Sequence, residues 1–288
     1  MNRVALGQPG YPALLADDHQ APKVLYWRGD LDVLDRPRVA IIGTRRCTHY
    51  GRQVASQLGG ELADAGVVVV SGLALGIDGA AHAGALAAGT TPVVGVVGSG
   101  LDVVYPRRHA RLWADVGTRG LLLTEAPPQA APEQWRFPAR NRIIAALAEA
   151  VVVVESHIAG GSNHTVAAAI DRSVPVLAVP GPITSSASTG TNRLLVEGCS
   201  PVTDVDDILV AIGLNPRGSR PARDRRPPPA ASESAVLAAV GWSPTNLEGL
   251  TIRSGLPPAE VAVALIHLEA DGWVRSVDGW WERLAPPK

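Results

Sequence analysis

The sequence predicts an α/β fold in which a doubly wound parallel sheet is followed by a small C-terminal winged-helix domain. Between residues 38 and 214, continuous apolar runs alternate with amphipathic segments, which is the pattern of parallel strands covered by helices on both faces. The chain has 288 residues, of which 4% are aromatic, and it is rich in Ala, Val, Leu and Gly. This length suits one large and one small domain.

Four segments follow one another along the chain. We expect residues 1–37 to form a lead packed on the core, and residues 38–214 to form the large domain. Residues 215–232 are rich in Pro and Arg without apolar periodicity, which indicates an extended linker. Residues 233–288 form the small domain.

The large domain contains six predicted strands, with helices between them. These strands cover residues 38–43, 67–71, 92–98, 119–124, 150–155 and 174–179. Right-handed crossovers between such strands give a doubly wound sheet.

The small domain contains three predicted helices and a hairpin. The helices cover 234–240, 246–254 and 259–271, and strands 273–277 and 280–284 flank a turn at Asp278-Gly279. This segment holds four Lys/Arg against seven Asp/Glu, and its third helix has no Lys or Arg. Because phosphate attraction dominates DNA affinity, a partner-binding or self-packing role fits this domain better than DNA reading.

Composition and charge exclude several classes of protein. The net charge is −1, so any basic surface must be local. Two cysteines, Cys47 and Cys199, cannot form a disulfide framework, and no Cys/His cluster has the spacing of a zinc site. With no signal peptide and no apolar run near ~18 residues, we expect a cytoplasmic protein without membrane contact. We expect neither a metal nor a cofactor.

Arginines recur in the turns of the large domain, although residues 38–213 hold 13 Arg against 14 Asp/Glu. They follow four predicted strands, as Arg45 and Arg46, Arg107 and Arg108, Arg136, Arg140 and Arg142, and Arg193. Ligands of open α/β sheets bind outside the carboxyl ends of the strands, and an arginine fork fits a phosphate. We therefore expect these side chains to converge on one edge of the sheet. The alternative is that they are ordinary loop arginines exposed to solvent.

The segment Trp135-Arg-Phe-Pro-Ala-Arg-Asn-Arg142 combines an aromatic ring with arginines at a predicted helix start. Phe137, the chain's only phenylalanine, precedes a helix that we expect to open at Pro138. An exposed aromatic among arginines can stack a base beside a phosphate clamp, as single-strand binding requires. Packing of Phe137 in the core is the alternative.

Several motifs follow one another along the chain from about Tyr11 to Asp207. They read Val39-Ala-Ile-Ile-Gly-Thr-Arg45, Ser71-Gly-Leu-Ala-Leu-Gly-Ile-Asp-Gly-Ala-Ala-His82, Gly98-Ser-Gly-Leu-Asp-Val-Val-Tyr-Pro106, Phe137-Pro-Ala-Arg-Asn-Arg142 and Val179-Pro-Gly181. Together these motifs resemble the DNA-processing protein A (DprA/Smf) family. The resemblance implies a Rossmann-like core that binds single-stranded DNA and forms a homodimer. It also implies delivery of the strand to the RecA recombinase in natural transformation or related recombination.

The chain departs from the family pattern at three places. Leu75 stands where the family has an arginine, and Asn163-His164 replaces an apolar pair in Gly160-Gly-Ser-Asn-His-Thr165. From the resemblance we expect the family's N-terminal helical domain to be absent, either because this lineage lost it or because the start codon is misplaced.

Together, the residues and the resemblance predict a set of DNA-binding residues and no catalytic residues. The DNA-binding residues are Arg45, Arg46, Ser71, Gly72, Arg107, Arg108, Phe137, Arg140, Asn141, Arg142, Ser162 and Arg193. Two alternatives on the same fold are a nucleotide-binding carrier or sensor and a phosphoribohydrolase-like enzyme. The enzyme is disfavoured because the segment around Ser162 lacks the catalytic carboxylate of those hydrolases.

Overall fold

The structure, a computed structural model, describes residues 2–215, 226–240, 245–277 and 279–284. The chain divides into two compact units, residues 1–217 and 218–288. Most of the predicted linker and the predicted turn residue Asp278 lie outside the described residues.

Unit 1 is built on a sheet of nine strands within the described residues. They are β1 (Asn2–Ala5), β2 (Val24–Gly29), β3 (Arg38–Ile42), β4 (Val68–Ser71), β5 (Val93–Val96), β6 (Leu121–Thr124), β7 (Ala150–Val153), β8 (Val176–Ala178) and β9 (Ser200–Pro201). Their order is β1-β2-β6-β5-β4-β3-β7-β8-β9, with β3 to β9 parallel. This confirms the predicted parallel α/β sheet and its six strands.

Helices cover both faces of this sheet. They are α1 (Ala13–Ala16), α2 (His49–Asp64), α3 (Ile77–Ala88), α4 (Ala110–Arg119), α5 (Arg136–Leu147), α6 (Asn163–Ile170), α7 (Thr189–Val196) and α8 (Val205–Ala211). Residues of α2, α3, α4 and α8 pack in one hydrophobic core, whereas those of α1, α5 and α6 pack in the other. Because both faces are buried, the parallel strands are continuously apolar.

The predicted N-terminal lead does more than pack on the core, because it extends the sheet. Strand β2 pairs antiparallel with β6, and β1 pairs antiparallel with β2. As an antiparallel neighbour, β2 begins at the edge where β6 ends, with Tyr26 opposite Thr124. The lead therefore contributes residues to the carboxyl edge of the parallel strands.

Helices α2 and α3 approach each other closely through small residues. A Cβ on Gly84 would overlap the carbonyl oxygen of Ser56, and one on Gly59 would overlap that of Ala81. Glycine is required for this backbone contact. The packing fixes α3, whose N-terminus lies at the carboxyl end of β4.

Unit 2 is a winged helix, as predicted. Its described elements are α9 (Ala231–Ala239), β10 (Thr245–Asn246), α10 (Leu247–Ser254), α11 (Pro258–Ala270), β11 (Val274–Val277) and β12 (Trp280–Arg283). Its core contains Val236, Leu250 and Leu265. Arg226, expected in the linker, lies 3.7 Å from the Trp273 ring centroid and so belongs to this unit. None of the helices described in either unit is long and apolar enough to cross a membrane.

Candidate nucleic-acid interface

A small cavity of about 40 Å³ lies at the carboxyl ends of β3, β4 and β5. We call this the Phe137 site. The loops after these strands contribute Arg45, Gly72 and Gly98, and α5 contributes Phe137 and Arg140. Four of the predicted DNA-binding residues therefore meet in one place, at the edge where open α/β sheets bind ligands.

The loop after β3 is fixed by backbone contacts that position Arg45. The Thr44 N–H donates to the Glu155 carbonyl at 2.7 Å, and the Thr44 carbonyl accepts from the Ile77 N–H at 3.3 Å. Gly76 has φ of 82°, and a Cβ there would overlap the Thr44 carbonyl oxygen. Glycine at this position lets the start of α3 lie against the loop.

Arg45 and two aromatic rings form the exposed part of the site. The Arg45 guanidinium carbon lies 5.0 Å from the Phe137 ring centroid, and the Tyr105 ring lies 5.4 Å from that of Phe137. Arg45 is exposed and Phe137 is half-buried. A cation beside aromatic faces provides both contacts that an unpaired nucleotide needs, one for phosphate and one for base.

Arg140 is a buried cation in the wall of the Phe137 site. It is 4% exposed, and its guanidinium donates to the Val96 carbonyl. Burial lowers the pKa of Arg140 to about 10, although nearby Asp78 raises it, and neighbouring Arg45 lowers it further. Asp78 therefore partly offsets the charge of Arg140, and the exposed Arg45 is the cation that the site offers to an anion.

Gly72 and Gly98 make room for the side chains from α5. A Cβ on Gly72 would overlap the Arg140 guanidinium, and one on Gly98 would lie 3.0 Å from Cδ1 of Phe137. The Gly72 N–H donates to Asp78 Oδ2 at 3.1 Å. This amide is already hydrogen-bonded and cannot bind a ligand. Gly72 contributes to the site because its lack of a side chain leaves space for the Arg140 guanidinium.

Arg46, Arg107 and Arg108 are exposed on loops next to the Phe137 site. Arg46 follows Arg45, and the 3₁₀ turn Arg107–His109 follows Pro106, which lines the cavity. Within the described parts of the chain, their guanidinium groups form no ion pair. They are placed to add positive charge around the cavity.

Other predicted DNA-binding residues have different contacts. Ser71 is fully buried, and its hydroxyl donates to the Ile41 carbonyl at 2.6 Å inside the sheet. Ser162 is buried, with its hydroxyl 2.7 Å from that of Ser156. The Asn141 amide donates to the Gly161 carbonyl at 3.4 Å. The structure does not support a direct DNA contact for Ser71 or Ser162, because both hydroxyls are used internally.

The predicted convergence of arginines is also incomplete. Arg142 Nη2 donates to Glu125 Oε2 at 2.5 Å, and Arg142 lines a different cleft from Arg140 because residues two apart on a helix point to opposite sides. Arg193 forms a surface ion pair with Glu197 four residues later, at 2.7 Å. Helix α5 begins at Arg136, so Phe137 lies within its first turn and not ahead of it.

Sequence reasoning missed Tyr105 and Gly98 as parts of the site. Both lie in the quoted motif Gly98–Pro106, and Tyr105 was the one aromatic residue of that motif. Leu75, which stands where the family has an arginine, lines the cavity as an apolar residue.

Ser71, Asp78 and His82 lie in one motif and carry the side chains of a hydrolase triad, but they do not form a catalytic set. His82 is fully buried, with Nε2 3.0 Å from the Val94 carbonyl oxygen, and burial lowers its pKa to about 4. The Ser71 hydroxyl donates to Ile41, so it makes no hydrogen bond to His82. A serine nucleophile requires such a base within hydrogen-bond reach.

Two family models match the chain along its length. Residues 2–213 match the family model of DNA recombination-mediator protein A. The chain belongs to this family. Residues 220–279 match the DprA winged helix domain, which agrees with the fold of unit 2.

Relatives of this DprA family support the assignment. The chain is 40% identical over 273 residues to the putative DNA processing protein DprA of Mycobacterium tuberculosis, covering 92% of this chain and 69% of that protein. It is 36% identical over 282 residues to Protein Smf of Escherichia coli, covering 95% and 75%.

Two solved DprA structures resemble this one. The structure of DNA processing protein A from Streptococcus pneumoniae has a TM-score of 0.69 at 38% identity and covers 73% of each chain. That of DNA processing protein A from Helicobacter pylori, described with a unique single-stranded DNA binding mode, has a TM-score of 0.66 at 32% identity. It covers 73% of this chain and 95% of the other.

Proposed function

We propose that this protein binds single-stranded DNA at the Phe137 site, protects the strand and delivers it to the RecA recombinase. In this proposal it acts in the cytoplasm as a homodimer, in natural transformation or related recombination. The DNA-processing names of its relatives and the single-stranded DNA binding of the Helicobacter pylori protein support the DNA part. The recombinase and the homodimer rest on the family resemblance.

One observation carries the proposal: Arg45 lies over the Phe137 ring beside the buried cation Arg140. A single strand offers both phosphates and unpaired base faces, whereas a duplex keeps its base faces stacked inside. An aromatic ring adds affinity only for the unpaired form. The site therefore favours single strands over duplexes.

The size of the Phe137 site favours a strand over a free nucleotide. Its volume is about 40 Å³. Small-molecule sites usually enclose about 300–1,000 Å³. A nucleotide carrier or a phosphoribohydrolase that used the Phe137 site would have to enclose its ligand within this volume, whereas a strand can lie across a shallow surface.

Binding should be independent of base sequence, because arginine contacts to phosphate and ring stacking do not read base edges. We propose to measure fluorescence anisotropy with single-stranded, duplex and mononucleotide ligands over a salt series. Log affinity for single strands should fall linearly with log salt, by about 0.7 per neutralised phosphate. Equal affinity for duplex DNA, or binding that salt leaves unchanged, would contradict the proposal.

The recombinase step has a separate test. RecA filament assembly can be followed on DNA precoated with a single-strand-binding protein, with and without this protein. Faster assembly is the expected result. Unchanged assembly in the presence of a protein that binds the same DNA would remove the recombinase from the proposal and leave strand binding intact.

A further inference from the structure

A second cleft, of about 540 Å³, lies beside the Phe137 site. We call it the Lys23 cleft. Its walls come from the N-terminal lead, from the loop after β6 and from α5, and they include Gln20, Lys23, Tyr26, Glu125, Pro127 and Arg142. Unlike the Phe137 site, it is large enough to take a nucleoside.

Both sites lie on the same edge of the sheet. The Phe137 site lies at the ends of β3 to β5, and the Lys23 cleft lies where β6 ends and β2 begins. Neighbouring strands are about 4.8 Å apart, so the two sites are separated by roughly 10 Å. A stacked strand rises about 3.4 Å per nucleotide and an extended one roughly twice that, so three to four nucleotides can reach from one to the other.

Helix α5 links the two sites, because Arg140 lines one and Arg142 lines the other. Between the two sites, backbone hydrogen bonds join the loop after β5 to the loop after β6. The Gly100 N–H donates to the Ala130 carbonyl at 3.0 Å, and the Asp102 N–H donates to the Pro128 carbonyl at 3.0 Å. The two sites therefore lie on one surface whose loops are held together by hydrogen bonds.

The side chains of the Lys23 cleft suit a nucleotide whose base enters and whose phosphate stays at the mouth. Lys23 is exposed and has no ion-pair partner among the residues that the structure describes. Deeper in, the Arg142–Glu125 pair offers both donors and acceptors, and the half-buried Tyr26 offers a ring. The Glu125 carboxylate repels phosphate and can accept from the amino or imino groups of a base edge.

We propose that the Lys23 cleft is a second subsite, which holds one nucleotide of the same single strand that occupies the Phe137 site. This inference rests on the proposed function. It predicts that strand length matters, since a dinucleotide is too short to fill more than one site, whereas a dodecanucleotide can fill both.

The test compares Lys23→Glu with Arg36→Glu, which makes the same change of charge. Arg36 is exposed and lies two residues before the start of β3, so it lies at the opposite edge of the sheet. Affinities of both variants and of Phe137→Ala would be measured with thymidine dinucleotides and dodecanucleotides, after melting temperatures have shown that each variant is folded.

Lys23→Glu should weaken dodecanucleotide binding at least about fivefold, the lower end for loss of a nucleotide contact, and spare dinucleotide binding at the Phe137 site. Arg36→Glu should change neither. A dodecanucleotide containing photoreactive 5-iodouracil should also crosslink to the peptide that carries Tyr26.

Two results overturn the subsite in different ways. If Lys23→Glu behaves like Arg36→Glu while Phe137→Ala weakens binding, the subsite is wrong and the proposed function stands. If the unmodified protein binds neither oligonucleotide, the proposed function fails and the subsite fails with it. Crosslinking confined to other peptides would also count against the Lys23 cleft.

Discussion

At the scale of single residues, Phe137 combines packing with exposure. One side contacts the backbone at Gly98, and its ring lies near Tyr105 and Arg45. The half-buried ring is thus held in place while part of its surface stays open. Such a ring can stack a base with little loss of side-chain freedom on binding.

We expect Phe137→Ala to lower single-strand affinity because a stacked base contributes about 1–3 kcal/mol, or roughly 5- to 150-fold. The salt slope should not change, since no charge is removed. Phe137→Leu is the control for packing, because it keeps apolar volume and removes the ring. Titrations at several salt concentrations and melting curves check this, and a folded Phe137→Ala protein with unchanged affinity would end the stacking idea.

The sequence indicates the residues of the Phe137 site, but it does not show where every predicted side chain points. The positions of Arg45 after a strand and of Phe137 at a helix start predict DNA contacts, and both residues reach the same site. The same segment suggests Arg140 and Arg142 together, yet helical geometry sends them to opposite sides of α5. The motif suggests Ser71, although its partner, the Ile41 carbonyl, comes from a neighbouring strand that only the folded sheet brings near.

At the scale of elements, α3 docks on the sheet through a buried histidine. His82 Nε2 lies 3.0 Å from the Val94 carbonyl oxygen, and Nδ1 is buried without a hydrogen-bond partner among the residues that the structure describes. Burial lowers the pKa of His82 from 6.5 to about 4. In the folded state the ring is therefore neutral, whereas in the unfolded chain it takes up a proton below about pH 6.5.

We expect stability to fall as the pH drops from about 6.5 towards 4, because only the unfolded state binds the proton of His82 there. At 1.36 kcal/mol per pH unit, the loss at pH 5 is about 2 kcal/mol. His82→Gln keeps a neutral donor for Val94 and should remove this part of the pH dependence. Urea unfolding of both proteins at pH 7 and pH 5 measures it, and equal pH dependence in the two would refute the assignment.

Local patterns predicted the six parallel strands because their buried faces make continuous apolar runs such as Val68–Val70. They did not predict β1 or β2. The strand Asn2–Ala5 is short and mixed, and the pairing of β2 with β6 joins segments about one hundred residues apart in sequence. Tertiary packing therefore determines that β1 and β2 join the sheet, and the same packing creates the Lys23 cleft.

At the scale of the whole molecule, the two units have separate cores and different surfaces. The Phe137 site and its arginines belong to unit 1. In unit 2, α11 presents Val263 and Ile266 to solvent and has no Lys or Arg. A helix without Lys or Arg gains little DNA affinity from contacts to phosphate.

We therefore expect deletion of 218–288 to leave both the single-strand affinity and its salt slope close to those of the full chain. Deleting 233–288 instead keeps the arginine-rich linker sequence and shows its contribution separately. Anisotropy titrations of the three proteins check this. Loss of binding on removing 233–288 alone would show that unit 2 contributes to the DNA contact.

The central claim is that single-stranded DNA binds at the carboxyl edge of β3 to β5, and the salt slope of Arg45→Ala tests it most directly. Arg193→Ala is the matched control, since Arg193 was marked by the same sequence pattern but forms a surface ion pair with Glu197. We predict that Arg45→Ala lowers the slope by about 0.7, the value of one phosphate on a single strand, and that Arg193→Ala leaves it unchanged. An unchanged slope for folded Arg45→Ala protein would contradict the account.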